Sequence, residues 1–141
     1  MNPADPALRA LAERLLAEER ANGKRSGHPA CVQACDKLGA LLGKLAGAAG
    51  YHSLLTRAVA LAQAEAPALR YLHVLPDGKL LGLFEVIEGT DKEELERSEA
   101  VLVAHLLGLL YTFIGELLTR QLVKEAWPKI DLDLSSDSTT Q

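Results

Sequence analysis

Residues 31–47 read CVQACDKLGALLGKLAG, and in them Cys31, Cys35, Gly39, Gly43 and Gly47 recur at every fourth position. On a helix that spacing places all five along one ridge. Glycine inside a helix costs about 1 kcal/mol relative to alanine, so three of them cost roughly 2–3 kcal/mol. A compensating gain is required. A ridge of small side chains supplies one, because it lets a second backbone approach closely, as small-xxx-small stripes do between membrane helices. The helix carrying this ridge is expected to open at His28-Pro29, to run to about Ala48, and to stop at Gly50.

A second small-residue row, Ala104, Gly108 and Thr112, lies in the stretch Ala100–Gly115, whose 16 residues include no Asp, Glu, Lys or Arg. Sixteen residues fall short of the ~20 needed to span a bilayer, and Glu116 and Arg120 follow at once. The stretch therefore reads as a buried central helix, not as a membrane span. Thr90-Asp-Lys-Glu93 has the form of a capping box at its start. The helix is expected to continue to Trp127, with Pro128 as its stop.

Working outward, Leu8, Leu11, Ala12, Leu15 and Leu16 form the apolar stripe of a first helix, with Asp5 as cap, Pro6 at its first position and Asn22-Gly23 as its exit. Tyr51 to Ala66 forms a third helix, ended by Pro67. Around Pro76-Asp77-Gly78-Lys79 the period changes, and the flanking β-favouring residues predict a β-hairpin over about 70–87. The expected fold is mainly α: a four-helix domain over residues 1–134, with the hairpin inserted before a long apolar C-terminal helix. Residues 135–141 read as a disordered polar tail.

Composition agrees with helix. Leu (28) and Ala (21) supply 49 of 141 positions, and both enter helices at little cost. The Ala/Leu bias points to a bacterial chain. Two cysteines make no disulfide framework, and the first residues carry no secretory signal pattern, so the expected location is the cytoplasm. Residues 71–99 carry a net charge of −5 within an overall −4, and no basic tract is present. Nucleic acid is not an expected partner.

Few chemistries find residues here. His28, Cys31 and Cys35 lie on successive turns of one helix face, with Asp36 adjacent and His52 available as a further ligand or as a phosphoacceptor. Zinc accepts such ligands, but a structural site takes four, and the set is incomplete. Buried small apolar packing is the favoured reading of both cysteines, ahead of metal or thiol chemistry. Gly39-Ala-Leu-Leu-Gly43-Lys44 has one residue too few between its glycines for a phosphate-binding loop, and Leu45 stands where Ser or Thr would hold magnesium. No nucleophile elbow is present. Glu93 to Glu99 reads as a solvated first turn rather than an acid–base pair. His105, set among Leu and Val, reads as a buried, hydrogen-bonded imidazole.

The expectation is a non-catalytic bacterial interaction module, an adaptor or regulatory accessory protein acting through protein contacts, with no cofactor and no metal. Its contact residues would be Cys31, Cys35, Gly39, Gly43, Gly47, Ala104, Gly108 and Thr112, packed within one chain or across the seam of a homodimer. Any other protein partner is unspecified by sequence. The alternative is a small ligand-, metal- or thiol-dependent sensor or enzyme centred on His28, Cys31 and Cys35, with His52.

Overall fold

The computed structural model describes residues 6–22 and 29–130. Asp5, the Asn22-Gly23 exit past Asn22, His28 and the 135–141 tail therefore lie outside the described residues. The chain is mainly α, with a small antiparallel hairpin ahead of the long apolar helix. In order the elements are α1 (Pro6–Asn22), α2 (Ala30–Glu65), a 3-10 turn (Pro67–Tyr71), β1 (His73–Val74), β2 (Leu80–Leu81), α3 (Leu83–Glu88), α4 (Lys92–Ile114) and α5 (Glu116–Ala126).

α2 is not one straight rod. Gly47 interrupts it with φ 81° and ψ 167°, a conformation essentially confined to glycine. In an unbroken helix, Cys35 and Tyr51 would stand about 24 Å apart along the axis. Instead the Tyr51 hydroxyl donates to the Cys35 carbonyl at 2.9 Å. The two arms, 30–46 and 48–65, fold back on each other. The expected pair of helices is thus present, with the reversal at Gly47 rather than at Gly50. A helix-like backbone at residue 50 simply continues the second arm.

Gly115 performs the same operation on the C-terminal helix. Its φ of 89° and ψ of 161° nearly repeat those of Gly47, and it separates α4 from α5. Glu19 and Arg20 are neighbours on α1; one bonds Trp127 at the end of α5 and the other bonds Glu99 near the start of α4. α5 must therefore run back alongside α4. The single helix expected up to Trp127 is two helices, because no β-carbon tolerates this turn at low cost. Gly115→Ala is expected to lower stability by about 1–3 kcal/mol although no heavy atom lies within 4 Å of the added carbon. Thermal denaturation would show the loss.

The hairpin is shorter than its sequence suggests. Only His73↔Leu81 and Val74↔Leu80 pair. Gly78 turns the loop at φ 88°, while the Lys79 amide donates to Asp77 Oδ1 at 3.0 Å. Both ends of the expected 70–87 span are helical: Tyr71 closes the 3-10 turn, and residues 83–88 form α3. Burial explains this better than strand propensity. Val86 is buried and Leu83, three residues earlier, is half-buried, while Glu88, two residues on, is exposed; that is helical spacing and not strand alternation.

α4 is the axis of the core. Every residue from Ser98 to Gly108 is buried, and α1, α2 and α5 pack around it. It has the length and apolar composition of a membrane span, yet 67% of its most apolar window is buried inside the fold. Its cap is Asp91, which accepts from the Glu94 amide at 2.8 Å, so the capping residue sits one position later than Thr90. Aspartate caps as well as threonine does. Across the core, apolar side chains from all the long helices join one cluster that includes Leu15, Leu38, Leu55, Leu102 and Trp127.

Candidate functional site

The ridge of residues 31–47 divides into three environments. Cys31 and Cys35 are buried in the core. Gly39 meets the Tyr51 ring, whose nearest atom would lie 2.6 Å from an added β-carbon. Gly43 meets nothing within 4 Å, and exposed Gly47 forms the reversal. The expected continuous seam of glycines against α4 is therefore not formed within the chain: the ridge twists away from α4 as it leaves the core. On α4, Ala104 and Gly108 are buried, whereas Thr112 is exposed and donates to the Gly108 carbonyl at 3.2 Å.

Gly39 and Gly43 instead floor an open groove of about 470 Å³. Ala40, Ala48, the Tyr51 ring and the hairpin turn at Asp77, Gly78 and Lys79 complete its lining. Tyr51 fixes this geometry, since its ring touches Gly39 on one side and lies 3.3 Å from the β-carbon position of Gly78 on the other. Its hydroxyl is held protonated: burial pushes the phenol pKa well up, and the nearby Cys35 and Asp36 push in the same direction. The groove thus presents open helix backbone at Gly43, beside an aromatic ring that covers Gly39 and a turn carrying both charge signs.

The thiols are placed for packing. Burial drives the pKa of Cys35 up to about 12, with Asp36 and Glu99 adding to the shift. Cys31 is raised well above its ordinary value, by burial first and then by the Glu99 carboxylate and Cys35. A thiolate is the nucleophile and the metal ligand, so this environment suppresses both chemistries. His28 lies outside the described residues, and half-buried His52 contributes no bond to the cysteines. Among the described residues no group of three or more His, Cys, Asp or Glu side chains could hold a metal ion. Both thiols are expected to react with Ellman's reagent at least about a thousandfold more slowly in the native protein than in urea, the ratio being set by unfolding.

Two buried carboxylates, Glu99 and Glu19, and an exposed one, Glu65, tie the helices together. Glu99 accepts from Arg20 Nη2 at 2.7 Å and from the Cys31 amide at 3.2 Å, so a side chain of α4 caps the first turn of α2. Glu19 accepts from Trp127 Nε1 at 2.7 Å and pairs with Lys37, whose ammonium stands 5.5 Å from the Trp127 ring centre. Glu65 joins Arg9 to His105, with the imidazole Nε2 2.9 Å from Glu65 Oε1. The His105 hydrogen bond, helped by Arg9, holds the Glu65 carboxyl below the usual carboxylate range. An ionised carboxylate only accepts, so Nε2 carries the ring proton. His105 is therefore the buried, bonded imidazole that its sequence neighbours predict.

Sequence reading passed over Glu19 and placed Glu99 on the solvated turn of Glu93 to Glu99, whereas Glu99 is buried; a signal was present for both. Glu99 falls on the stripe of Leu95, Leu102 and Leu106, and Glu19 on that of Leu8, Ala12 and Leu15. A carboxylate at a core-facing position requires a partner. A second surface hollow, about 590 Å³, lies elsewhere, between Tyr71, α3 and the start of α4. Its lining includes Glu85, Glu88, Asp91 and Glu94, with Arg70 stacked 4.7 Å from the Tyr71 ring centre. No protein-family model, curated protein or solved structure matches this chain.

Proposed function

We propose that this chain is a non-catalytic helical interaction module, an adaptor or regulatory accessory protein, and that the Gly39–Gly43 groove is its contact surface. The observation that carries this reading is Gly43. Its φ is not in the positive range and its β-carbon position is open, so nothing in its own fold requires glycine there. It still carries the helix cost of about 1 kcal/mol relative to alanine. Close approach by an outside backbone accounts for that cost. Buried, protonated thiols suit a role in which Cys31 and Cys35 fill space, and they suit the reducing cytoplasm as the place of action.

The first partner to test is a second copy. Homodimers are the commonest assemblies of soluble chains, and a twofold axis through the groove would set one bare backbone against the other. Light scattering at micromolar concentration should give twice the 15.2 kDa chain mass. Gly43→Ala should raise monomer stability by about 1 kcal/mol, since the site is helical and unobstructed. Gly43→Leu fills the groove without disturbing the fold and should return the mass to that of a single chain. A wild-type mass of one chain overturns the dimer, and a dimer indifferent to Gly43→Leu overturns the groove as its seam.

A further inference from the structure

We draw no further inference here: the strongest candidate, the acidic cleft between Tyr71, the short helix α3 and the start of α4, is a cluster of carboxylates with no second feature in the structure to show what covers it.

Discussion

Glu99→Ala is expected to cost about 2–4 kcal/mol of folding stability, the sum of a buried amide left without its acceptor and a lost hydrogen bond to a charged, part-exposed guanidinium. Its side chain is only 4% exposed, and three helices depend on it. α4 supplies the carboxylate, α1 supplies Arg20, and α2 supplies the Cys31 amide from its first turn. That turn has no side-chain cap of its own, because Pro29 occupies the capping position. Truncation leaves the buried Cys31 amide without its acceptor and takes from the part-exposed Arg20 guanidinium its shortest carboxylate contact. Glu99→Gln keeps the shape and an acceptor for Cys31, so about half of the loss should remain. Glu96→Ala is the control. Glu96 also faces Arg20, but at 3.9 Å and 41% exposed, and its removal should change stability by less than about 1 kcal/mol. Urea titrations of the three variants at neutral pH would establish the order. A cost for Glu99→Ala no larger than that of Glu96→Ala would remove Glu99 from its capping role.

The same residue shows where sequence reading stops. Periodicity places the apolar stripes correctly, because helix burial follows a 3.6-residue repeat that depends on nothing distant. It therefore finds α1, the helical arms around Gly47 and the buried run of α4. It does not locate the reversals. A single glycine at positive φ turns each helix, and Gly47 and Gly115 look no different in sequence from Gly43 or Gly108, which remain helical. Only tertiary packing decides which glycine bends. The hairpin fails in part for a related reason: Val86 and Ile87 favour strands in isolation, but burying Val86 against the core selects a helical turn. The candidate site is legible to the same degree. Gly39 and Gly43 stand out by spacing, whereas Tyr51 and the turn at Gly78, which convert a ridge into a groove, arrive from other elements. Glu19, Glu65 and Glu99 find partners 18 to 108 residues away, and no local pattern encodes such pairings.

The buried thiols should make the protein steeply sensitive to alkali. Folding raises the pKa of Cys35 to about 12 from an ordinary value of 9.0, and raises that of Cys31 as well. Above pH 9 the unfolded chain releases these protons while the native chain keeps them, so the unfolded state binds fewer protons and stability falls as pH rises. Each thiol contributes a slope of about 1.4 kcal/mol per pH unit once its unfolded form has ionised. The stabilisation is whole below pH 9 and is lost progressively as pH climbs toward the native values. Between pH 8 and pH 10 the two thiols together should remove about 3 kcal/mol, a large share of the stability of an ordinary domain. Cys35→Ala should halve that drop, and the Cys31→Ala/Cys35→Ala double variant should leave only the smaller part owed to Tyr51. Urea midpoints measured at half-unit steps over this interval give the slope directly. A wild-type curve parallel to that of the double variant would mean that the thiols ionise freely in the folded protein, and the packing role assigned to them would have to be abandoned.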